Sequence, residues 1–294
     1  MKLHNKILSE GEPLIIMHGL FGMLDNWQTF GKAIAQLGYE VHMLDMRNHG
    51  RSPHSLEHNY QVMADDLEEY LDDHDIDEAD ILGHSMGGKV AMVFATENEE
   101  RTKSLTVVDI APKAYPVHHE EIIEGLKSLD FSVLKSRGEA TEQLGKYISN
   151  AAVKQFLLKS LYWEEKTKLA LRFNLDVINQ NINMVGEALF DDAIYSGPTL
   201  FIDGELSNYI KAEDESLIKR HFPNSRIETV LGSGHWVHAE QPELFYKCIF
   251  VSARLWRWYL HHRRHTVRLR HRCVLTVLFQ AVAPVLVGFQ GLAL

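Results

Sequence analysis

The chain has 294 residues and only two cysteines, Cys248 and Cys273. Neither belongs to a C-x-x-C pair, so no disulfide framework and no thiolate metal site is expected. A buried, inert thiol is the ordinary state of such residues. There is no H-E-x-x-H pattern either, so no metal and no cofactor is read from the motifs. Positive charge is in deficit: 30 Lys and Arg stand against 40 Asp and Glu, a net charge of −10. An acidic surface repels phosphate, which excludes nucleic acid as the expected partner. The opening stretch "MKLHNKILSEGEP" has no apolar signal core, so a cytoplasmic protein is expected.

The last 44 residues lack more. Asp, Glu, Lys, Asn and Ile are absent from 251–294, which holds seven arginines. "CVLTVLFQAVAPVLVGFQGLAL" runs 22 residues without a charge, long enough for a membrane span. Gln280, Pro284 and Gln290 interrupt it, and so abrupt a change of composition resembles an appended or out-of-frame tail. It is set aside from the functional argument, and a membrane partner is not expected.

What is present is 45% hydrophobic, enough for one large domain with an insert. "EPLIIMHGLFG" reads as a buried strand at Leu14–Met17 ending in a glycine loop. "NWQTFGKAIAQLG" places Trp27, Phe30, Ile34 and Leu37 at helical spacing, with Gly38 as a stop. A strand at Glu40–Leu44 and a helix in "NYQVMADDLEEYLDDHDI" follow. "ADILGHS" and "KSLTVVDIAP" are further strands, with the helix "MGGKVAMVFATENEE" between them. Such alternation predicts an α/β protein, its parallel sheet covered by helices on both faces. From about Tyr115 to Tyr195 the pattern turns helical throughout; the strands "PTLFIDGELS" and "RIETVL" then resume it. The expected division is a core of residues 1–112 and 196–250, a helical cap at 113–195, and the tail at 251–294.

"GHSMG" at Gly83–Gly87 sits between a predicted strand and a predicted helix. A sharp turn there presents Ser85 at the carboxyl edge of the sheet, with a helix N-terminus aimed at whatever the serine attacks. A serine needs a base. His235, in "GSGHWVH" after the last predicted strand, is the candidate among 17 histidines. His238 is expected to face solvent, and His18 and His84 to brace the turns that carry them.

In order and spacing, "HGLFG", "DMRNHGRS", "GHSMGG", "VVDIAP" and "GSGHW" resemble the α/β-hydrolase family. The resemblance is strongest to its small YbfF-type bacterial esterases and covers roughly residues 12–249. It implies a mostly parallel eight-stranded sheet with a helical cap inserted before the last two strands. It implies oxyanion-hole N–H groups from Leu20 and Met86, with Phe21 as a substitute for Leu20. The loop Asp45–Gly50 matches a segment that is structural in the family.

The acid departs from the commoner pattern. Where Asp usually follows the strand after the cap, this chain has "GELS", ending in Ser207. The alternative position is Asp109 in "VVDIAP". Asp109 is therefore expected to be the acid and Ser207 to aid His235 by a hydrogen bond. Asp203 and Glu205 stand in reserve.

The function this implies is a serine carboxylesterase acting through an acyl-enzyme on short- to medium-chain acyl esters. An acyl thioesterase or a carbon–carbon hydrolase on the same fold is the alternative. An inactive hydrolase-fold binding protein is the alternative outside enzymology. The partner is a small-molecule ester or thioester. Dehalogenases and epoxide hydrolases of the family carry Asp where Ser85 stands here.

Overall fold

A computed structural model describes residues 1–116 and 119–250. The strands β1 (Asn5–Leu8), β2 (Glu12–Met17) and β3 (Tyr39–Leu44) are followed by β4 (Ala79–His84) and β5 (Thr102–Val108). Then come β6 (Leu161–Glu165), β7 (Lys168–Leu171), β8 (Thr199–Gly204) and β9 (Ser225–Val230). Seven of them form one sheet in the order β1-β3-β2-β4-β5-β8-β9. All neighbours pair in parallel except β1, which runs antiparallel to β3. The expected eight strands are thus seven among the described residues.

The apolar strands are continuous because both faces of the sheet are covered. Successive side chains of a strand point to opposite faces. Ile15 and Met17 therefore join one core cluster, with Leu67, Val90, Phe94 and Phe201. Leu14 and Ile16 join the other, with Trp27, Phe30, Val41 and Phe245. The helices α1 (Gln28–Ala35), α2 (Tyr60–Asp73) and α3 (Met86–Glu97) supply much of this cover. Asn59 caps α2, its side chain accepting from the Val62 N–H.

Between β5 and β8 lie α4 (Glu120–Lys127), α5 (Arg137–Leu144), α6 (Ala151–Leu158) and α7 (Leu175–Gln180). This insert is not all helix, as the sequence had suggested. Its β6 and β7 form an antiparallel hairpin pairing Leu161 with Leu171 and Trp163 with Leu169. The "KLALRF" run has the period of a strand as well as apolar content, and a partner strand one short turn away decides between the two. Asn150 ends the long helical pattern before it by capping α6. The chain closes with α8 (Glu215–His221), α9 (Val237–Glu240) and a helical stretch at 242–250. No helix among the described residues is long and apolar enough to cross a membrane. The tail 251–294 lies outside the described residues, and so does its reading as an appended segment or a membrane span.

Candidate active site

Ser85 stands between the end of β4 and the start of α3, with φ 52° and ψ −116°. A non-glycine residue at positive φ costs about 1–3 kcal/mol and must be held there by its surroundings. The glycines hold it. A Cβ on Gly83 would lie 2.1 Å from the Gly87 carbonyl oxygen, and one on Gly87 would lie 2.7 Å from the carbonyl oxygens of Met17 and His18. Only chain without side chains can turn this tightly and let α3 reach the end of β2. The Ser85 N–H donates to the Val108 carbonyl at 2.9 Å, tying the turn to β5.

Asp109, at the end of β5, is also in the left-handed region, with φ 52°. Its carboxylate is fully buried. Oδ2 lies 2.7 Å from His235 Nδ1, and His235 Nε2 lies 3.0 Å from Ser85 Oγ. The three residues come from β4, β5 and the loop after β9, and form one continuous line of hydrogen bonds. A carboxylate on Nδ1 leaves Nε2 as the acceptor facing the serine, the tautomer a base requires.

Ser207 is where it was expected but with a different partner. Its hydroxyl donates to Asp109 Oδ2 at 2.5 Å, the same oxygen that meets His235. It reaches the imidazole through the carboxylate, not directly. The Gly204 N–H donates to Oδ1 at 3.1 Å. Three donors thus converge on a charge buried away from water, which is how such a charge is made tolerable. The reserve acids point elsewhere. Glu205 accepts from the Gly232 N–H at 2.8 Å. Asp203 leaves Oδ1 buried without a partner, and burial pushes its carboxyl pKa up.

On the opposite side of Ser85, the Phe21 N–H is taken by His49 Nε2 at 3.2 Å. Met86 is the first residue of α3, so its N–H has no acceptor within the helix. Leu20 and Met86 border Ser85 in one small cavity, walled by Tyr60, Tyr115, Tyr209 and Val185. A second, larger cavity also reaches Ser85 and Leu20 and is lined by Phe21, Val153, Phe156, His235 and Trp236. Nothing in the sequence marked Tyr209, which stacks on the His235 ring at 4.2 Å. The aromatic lining from the insert was equally hidden, since its residues are scattered along the chain.

The bracing histidines are neutral for a physical reason. His18 Nε2 accepts from the Met46 N–H at 3.0 Å, and its pKa is lowered to about 4 by burial. Burial, then the neighbouring His18, lowers His49 to about 3. His84 Nε2 donates to the His235 carbonyl at 2.9 Å and holds that loop. The expectation for His238 fails. It stacks on Trp27 at 4.0 Å with Nδ1 buried and unpartnered, because the turn after His235 leads straight into α9 and folds the ring inward. The polar loop is structural: Asp45 accepts from the N–H groups of Leu24 and Arg51, and Arg47 pairs with buried Asp66 through two bonds of 2.6 and 2.8 Å.

The match to the alpha/beta hydrolase fold spans residues 12–242. The chain belongs to the α/β-hydrolase family. This hydrolase is 36% identical over 239 residues to esterase YbfF of Escherichia coli, covering 81% of this chain and 91% of that one. It is 36% identical over 250 residues to the sn-1-specific diacylglycerol lipase ABHD11 of Danio rerio, covering 82% and 78%. Among solved structures, a marine microorganism esterase superposes with a TM-score of 0.83 at 39% identity, over 85% of this chain and 99% of that one. The hydrolase therefore stands among esterases and lipases.

Proposed function

We propose that the protein is a serine carboxylesterase for short- to medium-chain acyl esters, working through an acyl-enzyme. The observation that carries this is the unbroken line Ser85 Oγ–His235–Asp109 opening onto two apolar cavities. Ser85 Oγ attacks the ester carbonyl while His235 Nε2 takes its proton. The Leu20 and Met86 N–H groups receive the negative oxygen, an interaction worth roughly 10²–10³ in rate for one donor. Collapse breaks the ester bond, and His235 returns the proton to the departing alkoxide. Water, deprotonated by the same imidazole, then attacks the acyl-enzyme; the acyl–oxygen bond breaks and His235 returns the proton to Ser85 Oγ, freeing the acid. Asp109 stabilises the imidazolium, and Ser207 holds the carboxylate in place.

Both cavities are lined largely by apolar side chains, which suits the acyl part of an ester. The esterases similar to this chain support ester over other substrates. The test is a series of p-nitrophenyl esters from acetyl to palmitoyl, run beside the matching thioesters. Labelling by a fluorophosphonate is measured in parallel. Wild type is expected to label once and to turn over the shorter oxygen esters best, and Ser85→Ala to do neither. Full labelling of Ser85→Ala, or a wild type inert to all esters, would refute the proposal.

A further inference from the structure

Lys89 has no place in that chemistry, yet it is completely buried one turn after Ser85. Its backbone N–H donates to the Ser85 carbonyl at 3.0 Å, closing the first turn of α3. Its side chain runs the other way. The Nζ donates to the Lys113 carbonyl at 2.6 Å and to the Glu187 carbonyl at 2.7 Å. These carbonyls lie on the two segments by which the chain enters and leaves the insert between β5 and β8. The segments also bond to each other: the Tyr115 N–H donates to the Gly186 carbonyl at 2.8 Å, and the Leu189 N–H to the Pro112 carbonyl at 2.9 Å.

We propose that Lys89 is a positioning residue: its ammonium latches both roots of the insert to the nucleophile's own helix, and so fixes the cavity wall beside Ser85. From the latch the contacts lead back to the base. Tyr115 lies under the Lys89 ammonium, 5.4 Å from it to the ring centre. Its hydroxyl donates to the Tyr209 carbonyl at 2.5 Å. Tyr209 is the ring that stacks on His235. Tyr115, Val185 and Gly186, all at the roots, line the smaller cavity together with Ser85.

A buried ammonium without a carboxylate partner is costly, and an apolar side chain would fill the same space. What Met would not supply is two charge-assisted donors aimed at two separate segments. The charged and titratable groups around the amine are Lys113, Glu187 and Tyr115. Lys113 is itself tied to Asp214 at 2.5 Å. Burial, then Lys113, lowers the Lys89 pKa to about 7, against the smaller upward pull of Glu187. The charged form is therefore nearly complete by about one pH unit below 7 and is lost as pH rises through about 7, loosening the latch on the alkaline side.

The kinetic readout rests on the esterase reading. Lys89→Met is expected to raise KM for a p-nitrophenyl ester about tenfold, with kcat within about threefold. Wild type is expected to show an alkaline rise in KM near pH 7, and Lys89→Met to lose it. Lys89→Arg should restore part of the KM. Unchanged KM and an unchanged pH profile in folded Lys89→Met would overturn the proposal. Amide hydrogen exchange of the wild-type chain needs neither turnover nor a stable variant. Corrected for intrinsic exchange, protection of the Tyr115 and Leu189 amides should fall between pH 6 and 8 while β4 and β5 stay protected. Protection at those two amides that is flat with pH would overturn the proposal whatever the enzyme hydrolyses.

Discussion

Replacing Asp109 by Asn and Ser207 by Ala separates the two groups that crowd around His235. Asn tolerates the left-handed backbone found at Asp109 better than most residues, so the fold should survive the first change. The hydrogen bonding will not. Oδ2 meets the His235 and Ser207 donors, and Oδ1 meets the Gly204 N–H. An amide keeps one acceptor oxygen and turns the other position into a donor. Facing His235, that donor demands the wrong imidazole tautomer; facing Gly204, it opposes a backbone N–H. Loss of the orienting carboxylate in a serine protease triad costs about 10⁴ in kcat, and a loss of that order is expected here. Ser207→Ala removes one hydrogen bond to a buried charge, worth about 1.5–3 kcal/mol. If all of it reaches the transition state, kcat falls roughly 10- to 150-fold. This exceeds what a neutral bond to the imidazole would cost, because Ser207 holds the carboxylate itself. The assay is kcat on p-nitrophenyl acetate for both variants, with circular dichroism and Tm to establish that each is folded. Ser207→Ala falling further than Asp109→Asn would refute the assignment of the charge to Asp109.

Gly83→Ala forces a Cβ to within 2.1 Å of the Gly87 carbonyl oxygen. Overpacking of this kind costs about 1–3 kcal/mol, so Tm should drop by roughly 3–10 °C and labelling of Ser85 should fall with it. An unchanged Tm with normal labelling would show that the turn is looser than described. Stability should also fall on mild acidification. Burial lowers the pKa of His18, His49, His58 and His84, so the folded chain keeps them neutral while the unfolded chain binds protons below about pH 6.5. The unfolded state then holds more protons, and each histidine removes about 1.4 kcal/mol per pH unit until its folded pKa is reached. Thermal melts at pH 7.5, 6 and 5 should show a progressive fall; a Tm constant over that range would contradict the burial of these rings.

The Ser85 turn was legible from the sequence because its chemistry is local. A strand, a glycine-flanked serine and a helix are neighbours in the chain, and backbone sterics admit few ways to join them. The parallel sheet was legible for a similar reason: buried strands such as β2 leave unbroken apolar runs. The β6–β7 hairpin was not, since an apolar run next to charged residues suits either period until a partner strand pairs with it. Partnership across the fold was the province of tertiary structure alone. The resemblance to the family named Asp109 and Ser207 as candidates, but only the meeting of β5 with the end of β8 decided that Ser207 bonds the carboxylate and not the imidazole. Nothing in the sequence singled out Lys89, and His238 read as a surface residue. Burial is a property of what packs against a side chain, and for both residues those groups lie far away along the chain, in the insert for Lys89 and in the loop before α1 for His238.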